Sequence, residues 1–248
     1  MKNVIISMLL LCATVTAFAQ KKVASVNFSM DKRIDAGNLG GGAALLQGVM
    51  QLADDPNFDV KPVFDSFYKE FHENFATEFP FDLLDEEVVL GDAAYQAYSP
   101  SYAGTSKLDS LGLTGRYVIV KEGYKGLQRP VLGIGKQDQE AMTEIFKDRS
   151  DAILMTFVGF EFVEQTIMKI GVIKVRAFFN MVAYDNDGKK IFSIIEYGTS
   201  KNSVPSVLGV PVLKLEKIMP MCQSASDKLM ADLQKDLGKI VKKTAKKM

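Results

Sequence analysis

The chain has 248 residues, of which 47% are hydrophobic, 24% are charged and 10% are aromatic, and its 30 basic residues equal its 30 acidic residues in number. This composition is close to that of an average globular protein and excludes disordered, collagen-like, coiled-coil and disulfide-stapled chains. The balanced charge argues against nucleic acid as a partner, and the length is sufficient for one large core without a metal or disulfide staple.

Residues 1–19 have the three parts of an export signal. Lys2 provides the positive start, residues 4–16 are mostly apolar, and Ala17-Phe18-Ala19 fits a small-x-small cleavage site. The apolar stretch is too short to span a membrane, and no later segment is long enough to do so. We therefore expect an exported single domain of residues 20–248, periplasmic or peripherally associated with the envelope.

Cleavage would change the charge and the cysteine content. It removes one lysine and no acid, which leaves 29 basic and 30 acidic residues, and it removes Cys12 and leaves Cys222 as the only cysteine. An intramolecular disulfide is then impossible. Cys12 also follows three leucines rather than the small residues of a lipoprotein signal, so we do not expect a lipid anchor.

The first half of the domain predicts a strand and two helices. Residues 23–28 are rich in β-formers and predict the first strand. A glycine-rich loop, residues 37–42, leads into a helix over residues 43–53. Pro62 favours the first turn of a second helix, and a short strand over residues 81–84 precedes three acids that indicate a helix start. Five aromatic residues on the second helix predict a stripe that packs on a sheet: Phe64, Tyr68, Phe71, Phe75 and Phe79.

The middle of the chain contains an irregular segment followed by the most apolar run. Residues 99–135 are glycine-rich and predict loops around a strand at residues 116–120. Residues 137–147 predict a helix. The run over residues 152–158 has the length and composition of a strand that is buried on both faces, so we expect it at the centre of the sheet.

The last third predicts a long hairpin. Residues 173–183 carry an apolar side chain at every odd position, which indicates a half-buried strand. Asp185-Asn186-Asp187-Gly188 predicts a turn into a second strand over residues 189–199. The register of that strand stays open, because three residues on one face compete with two on the other: Ile191, Ile195 and Tyr197 against Phe192 and Ile194.

A closing amphipathic helix is expected to begin at Pro220 or after it. Its apolar residues are spaced four apart: Met221, Ala225, Leu229, Leu233, Leu237 and Val241. The order of elements predicts an α/β (α+β) fold in which helices pack on a mixed sheet.

Side chains that carry catalysis are scarce. His72 is the only histidine and lies at the edge of the aromatic stripe, with no partner evident in the sequence. Cys222 is expected in the first turn of the closing helix, where the helix dipole lowers a thiol pKa, but a small buried apolar role fits it better. We therefore assign no catalytic residue, no cofactor and no metal, and we expect a protein that is not an enzyme.

Three short motifs resemble ligand sites without fitting them. Asp185 and Asp187 imitate a calcium loop, but the twelfth position is Ile194, which cannot coordinate. The loop over residues 37–42 precedes a helix, where an anion could bind, but its spacing fits neither nucleotide fingerprint, so anion binding stays open. The acids at residues 85–87 could act as a glycosidase pair, yet nothing places a second carboxylate opposite them.

The candidate interaction site is a group of lysines near the C terminus, within a segment that contains no acid: Lys239, Lys242, Lys243, Lys246 and Lys247. We expect them to lie past the apolar face of the closing helix, exposed and free to meet an acidic envelope protein or an anionic membrane surface. Residues 54–92 contain twelve acids against two lysines and form a competing target, in this chain or in another copy. The alternative is that both stretches are simply solvated faces.

Four segments carry a family resemblance: residues 21–28, 79–85, 151–159 and 185–189. Their strand edges and order resemble the small α/β domain of envelope proteins, namely the N-terminal domain of TolB and its relatives in the curli-secretion lipoprotein CsgG. The resemblance spans residues 21–200 with interruptions. It implies a non-enzymatic role in envelope assembly or transport through protein contacts, and it transfers no functional residue.

Two functions therefore remain. The leading hypothesis is an exported binding or assembly module of the cell envelope. The alternative is a carrier of an apolar small molecule or lipid, in which the many Phe and Met residues would line a pocket instead of filling the core. A flat exposed apolar patch would favour the first, and an internal cavity would favour the second.

Overall fold

A computed structural model of the chain describes residues 20–36, 39, 42–100, 117–129, 135–167, 170–207, 210–211 and 213–247. The predicted export signal lies outside the described residues, as do parts of loop 37–42 and of the segment 99–135. The strands are β1 (Lys21–Asp35), β2 (Phe81–Leu83), β3 (Val118–Val120), β4 (Ala152–Ile167), β5 (Ile170–Asp185), β6 (Lys190–Thr199), β7 (Val204–Val207) and β8 (Val210–Pro211). The helices are α1 (Gly42–Asp54), α2 (Lys61–Glu70), α3 (Glu86–Leu90), α4 (Ala93–Ala97), α5 (Lys136–Phe146) and α6 (Leu215–Ala245).

All the described strands belong to one mixed sheet. β4 lies between β1, to which it is parallel, and β5, to which it is antiparallel. β2 and β3 both pair with the outer edge of β1, while β6 and β7 both pair with the outer edge of β5. β8 pairs with β7. The predicted α/β (α+β) class, with a mixed sheet and a long hairpin, is confirmed.

Helices cover the two faces of the sheet unequally. On the first face, α1, α2 and α6 pack over a large apolar cluster that includes Leu154, Val158 and Phe160. On the second face, α3, α4 and α5 pack over a smaller cluster that includes Ile153 and Met155. Successive residues of β4 thus enter opposite clusters, and the expected central strand buried on both faces is confirmed.

The aromatic stripe packs as expected, but the helix that carries it is irregular. α2 begins at Lys61 with Pro62 in its first turn and ends at Glu70, after which a π-helical turn (Phe71–Phe75) and a 3-10 turn (Ala76–Glu78) follow. Four of the five stripe residues are buried, and Tyr68 is half-buried. The stripe residues are mostly four positions apart, slightly more than the 3.6 residues of one α-helical turn. The π turn contains more residues per turn, so it helps to keep the later stripe residues on the same face.

β4 is longer than the sequence predicts, and its hairpin with β5 is not among the sequence predictions. β4 continues nine residues past Val158 to Ile167 and pairs with β5 along its whole length. Gly159 makes this pairing possible, because a Cβ at that position would lie 2.6 Å from the ring of Phe178, the residue opposite it. The predicted strand ends at Val158, just before this glycine, which in the structure accommodates a cross-strand aromatic ring.

The predicted turn between β5 and β6 is confirmed. Gly188 has a φ of +73°, and Oδ1 of Asp185 accepts hydrogen bonds from the N–H groups of Asp187 and Lys189. Lys190 pairs with Tyr184 and Phe192 with Ala183, so Ile191 is the extra residue of a bulge.

The bulge resolves the open register of β6. Phe192 and Ile194 are buried on the first face, whereas Ile195 and Tyr197 are each 45% exposed. Ile195 and Tyr197 therefore lie on the second face and Phe192 and Ile194 on the first, while Ile191, at the bulge, packs against the first-face cluster.

α6 begins earlier than predicted. It starts at Leu215 and contains Pro220, whose missing N–H costs one hydrogen bond in the second turn. The start at Pro220 or after it is wrong, because Ile218 is fully buried and the packing of this first turn outweighs the proline.

The apolar face of α6 also drifts relative to the predicted residues. At 3.6 residues per turn, a spacing of four rotates steadily around the helix. The buried positions therefore move from Leu233 to Ile240 and Thr244, while Leu237 and Val241 are half-exposed.

Two glycines of this region should respond in opposite ways to the same substitution. A Cβ at Gly198 of β6 would lie 2.5 Å from the backbone oxygen of Ala225 and would clash with the backbone nitrogen of Leu229, so Gly198→Ala should lower the free energy of unfolding by about 1–3 kcal/mol. A Cβ at Gly238 meets nothing within 4 Å, so Gly238→Ala should raise it by about 0.5–1 kcal/mol. Urea unfolding of both variants measures the difference, and a neutral Gly198→Ala would contradict the close approach of α6 to β6.

Candidate functional site

A cluster of titratable side chains surrounds Glu86, the first residue of α3. Oε1 of Glu86 accepts hydrogen bonds from the hydroxyl groups of Tyr68 on α2 and of Tyr124 in the segment after β3, the latter at 2.6 Å. Nε2 of His72 lies 3.7 Å from the same oxygen. Tyr68 and His72 are four residues apart, so they lie on the same side of the helical segment, with ring centroids 4.5 Å apart. We call these four residues the Glu86 cluster.

The electrostatics of the Glu86 cluster favour a fixed structure. Burial, together with the hydrogen bond to Glu86, raises the pKa of Tyr124 and of Tyr68 far above the ordinary value for tyrosine, so both hydroxyls stay protonated and donate to the carboxylate. Burial lowers the pKa of His72, and the Glu86 carboxylate offsets part of that shift. His72 is therefore neutral at pH 7.

The Glu86 cluster lies beside a gap in the pairing of the sheet edge. β2 pairs with β1 at residues 21–23 and β3 pairs with it at residues 29–31, so no described strand pairs with the residues between them on this side. The hydroxyl of Tyr95 donates to the carbonyl of Val26 at 3.0 Å and accepts the N–H of Lys125 at 2.9 Å. The Tyr95 hydroxyl thus satisfies a backbone carbonyl of β1 within this gap.

The sequence does not predict the meeting of His72 and Glu86. His72 was expected at a helix edge without a partner, and Glu86 was expected among simple N-terminal charges. The reversal of the chain through Pro80 and the short β2 brings them together. No local pattern encodes a contact that depends on this reversal.

His72 should control the stability of the protein around neutral pH. Because its pKa is lower in the folded than in the unfolded chain, the related stability is complete above the unfolded value of about 6.5 and is lost as pH falls through the folded value. The urea concentration at the unfolding midpoint of the wild type should fall as the pH is lowered from about 7.5 to about 5.5. His72 is the only histidine of the chain, so it is the only histidine that titrates in this range. His72→Gln should flatten this dependence. A midpoint that rises on acidification would mean instead that pairing of protonated His72 with Glu86 outweighs burial.

The other residues considered for chemistry stay apart. Cys222 is fully buried in α6, which raises its thiol pKa well above the ordinary range, as expected for an apolar role. Asp185 accepts backbone N–H groups of its own turn. Within the described ranges, no three His, Cys, Asp or Glu side chains come together as a group that could hold a metal ion. The candidate anion loop, residues 37–42, lies largely outside those ranges.

The five C-terminal lysines are exposed, but they do not form a free tail. Lys239, Lys242 and Lys243 lie within α6, and Lys246 and Lys247 follow its last turn. Ile240 and Thr244 between them are buried. The expectation that the lysines lie past the apolar face is therefore wrong, because the drifting face of α6 continues to Thr244. Removal of residues 239–248 would remove core contacts as well as charges.

A charge-only substitution tests the membrane-surface expectation for these lysines. Replacement of all five by Gln keeps Ile240 and Thr244 and should abolish sedimentation with phosphatidylglycerol vesicles at low salt, because each lysine near an anionic surface contributes about 1 kcal/mol. The wild type should lose the same binding in high salt. Gln at five exposed lysines elsewhere (Lys21, Lys22, Lys189, Lys201 and Lys214) is the control. Equal losses in the two variants would contradict a specific role of the C-terminal lysines. No helix in the described part of the chain is long and apolar enough to cross a bilayer.

A cavity on the first face is too small for a ligand. It is lined by apolar side chains of the aromatic segment, β5, β6 and α6, among them Phe79, Ile194 and Leu237, and its volume is about 10 Å³. That is about the room of a single water, and the lining offers water no polar partner.

An exposed surface occupies the second face at β5 and β6. The apolar cluster beneath α3, α4 and α5 reaches Phe157 on β4 and Val182 on β5, and the sheet continues beyond it. Ile195 and Tyr197 are each 45% exposed in that continuation, and Phe178 is half-buried.

Arginines border this surface. The guanidinium of Arg176 lies 4.4 Å from the ring centroid of Tyr197 and donates to Oε1 of Glu161 at 2.6 Å. The guanidinium of Arg129 lies 5.4 Å from the ring centroid of Phe178. We call Arg176, Phe178, Ile195 and Tyr197 the β6 surface. Exposed aromatic and aliphatic side chains beside arginine are typical of surfaces that bind proteins.

Comparisons with known proteins add little to this picture. No family model matches the chain, and no curated protein matches it. Among solved structures, the chain is similar to the hypothetical protein CT253 from Chlamydia trachomatis, with 9% identity over 88% of this chain and 98% of that chain and a TM-score of 0.28. A score this low supports no inference about fold or function.

Proposed function

We propose that this chain is an exported, non-enzymatic binding or assembly module of the cell envelope that acts through protein contacts. The observation that carries the proposal is the β6 surface. Ile195 and Tyr197 stand exposed on β6, whose even-numbered residues are hydrogen-bonded to β5 within the continuous sheet of β4, β5 and β6. A partner would bury these side chains without reorganising the strands, and a rigid surface loses little conformational entropy on binding.

The filled core supports protein binding over the carriage of a lipid. The aromatic residues that could have lined a pocket pack on one another instead: Phe28 contacts Phe64 and Phe71 with ring centroids 5.7 and 5.4 Å apart. The cavity of about 10 Å³ on the first face could not admit an acyl chain.

The envelope location rests on sequence features. The apolar stretch and the Ala17-Phe18-Ala19 site of residues 1–19 favour export. The resemblance of residues 21–200 to the TolB and CsgG domain favours a role in envelope assembly. Both features are consistent with a protein that meets its partners after export.

Photo-crosslinking in intact cells tests the proposed function. A photoreactive phenylalanine analogue in place of Tyr197 should give covalent adducts with protein. The same analogue at Val88, which is 46% exposed on α3, is the control and should give none. Mass spectrometry of the adducts identifies the partner. Adducts with lipid alone would support the carrier instead, and equal adducts at both positions would mean that the β6 surface has no specific partner.

A further inference from the structure

The outer edge of β6 has backbone hydrogen-bonding groups that no described strand pairs with. The N–H of Ser200 donates to the carbonyl of Val175, which makes the neighbouring pair of Arg176 and Thr199 one that exchanges no hydrogen bonds. Because the two kinds of pair alternate, the odd-numbered residues of β6 point their N–H and C=O groups away from β5: Ser193, Ile195, Tyr197 and Thr199. Among the described strands, none pairs with this side of β6.

β6 lacks two of the features that protect a long edge from a second strand. Natural sheets shield such edges with proline, bulges, charged side chains or a covering element. β6 has ten residues and no proline, and its bulge at Ile191 is at the hairpin end. Its two charged residues are Lys190, also at the hairpin end, and Glu196, on the face that α6 covers. The residues with free backbone groups also include the two exposed apolar ones, Ile195 and Tyr197. A strand added here would bury both apolar side chains and pair the free groups.

The flank of α6 above this edge carries an ordered set of charges. α6 packs over β5 and β6 and runs antiparallel to β6, since Gly198 lies against Ala225 and Leu229 while Ile194 lies near Leu237. Glu196 is within electrostatic range of four side chains on the near flank: Asp232, Asp236, Lys239 and Lys243. The two acids precede the two lysines along the helix.

This charge order is complementary to itself. When two such helices lie side by side and antiparallel, Asp232 faces Lys243 of the second copy and Asp236 faces Lys239 of the second copy. The centre of this arrangement is between Leu237 and Gly238, above the middle of β6. A twofold axis at Ile195 would therefore pair the strand edges and the helix charges at the same time.

We propose that two copies of this chain associate through the β6 edge, antiparallel and centred at Ile195, to form one continuous sheet. Ile195 then faces its own counterpart, and Tyr197 faces Ser193 of the second copy. The two α6 helices lie side by side on the first face with opposite charges in register. The dimer rests on the proposed function, because it names a second copy of the chain as a partner of the β6 surface.

Sedimentation and cross-linking of the purified mature chain test the dimer. The wild type should sediment as a dimer, and Ile195→Lys, which places two lysines opposite each other, should sediment as a monomer that still unfolds cooperatively. The control is Val88→Lys, at an exposed site of the same accessibility on α3, and it should remain dimeric. Ile195→Cys should form an intermolecular disulfide under mild oxidation, because Cα atoms of a hydrogen-bonded antiparallel pair are about 5.5 Å apart, within the range for a disulfide. The buried Cys222 should not compete.

A charge exchange tests the register independently of the strand. Asp236→Lys alone places a lysine opposite Lys239 of the second copy. The repulsion between these like charges should weaken the dimer at low salt. Adding Lys239→Asp restores both the internal pair and the pair across the axis, so the double variant should recover the wild-type dimer. Failure of the double variant to recover would overturn the antiparallel register.

The dimer and the proposed function can fail separately. A monomeric wild type whose Ile195→Cys variant does not cross-link overturns the dimer. Adducts of the Tyr197 analogue with a different protein in cells would then leave the proposed function standing and identify that protein as the occupant of the edge. Adducts with a second copy of the chain support both proposals.

Discussion

The burial of β4 on both faces is the constraint on which the rest of the structure depends. All nine residues from Ala152 to Phe160 are buried. Seven of them belong to the two apolar clusters, with even-numbered residues in the first-face cluster and odd-numbered residues in the second-face cluster. Full burial of each large apolar side chain contributes about 1.5–3 kcal/mol, so this strand anchors both helical layers. It also requires a strand on each side, because a buried backbone must be fully hydrogen-bonded. β1 and β5 fill those positions, and every other strand pairs with one of these two or with β7.

The two helical layers cover different lengths of the sheet, and this difference leaves exposed the surface that we assign to binding. α6 has 31 residues and covers β5 and β6 along the first face, where Gly198 lets its backbone touch the strand. The apolar cluster of the second face ends at Phe157 and Val182. Beyond that limit, the sheet presents Ile195 and Tyr197 with Arg176 at their border. The exposed surface is thus a consequence of how far each layer extends.

The two edges of the sheet differ in how their backbone hydrogen-bonding groups are satisfied. At β1, the hydroxyl of Tyr95 bonds the carbonyl of Val26 in the gap between β2 and β3. At β6, the corresponding backbone groups have no strand partner among the described residues. An edge closed by side chains needs no second chain, whereas an edge with free groups and exposed apolar residues is suited to acquire one.

The sequence by itself determined the elements that depend on periodicity and turn chemistry. The alternation in β5, the apolar run of β4, the turn at Gly188 and the aromatic stripe of α2 are all local signals, and the structure confirms them. The end of β4, the start of α6, the burial of Ile240 and Thr244 and the contact of His72 with Glu86 were decided only by the tertiary structure. In each case, the energy comes from residues distant in the chain: the ring of Phe178 fits over Gly159, and the packing of Ile218 outweighs Pro220. Periodicity records which side of an element is apolar, but not how far a neighbouring element extends to cover it.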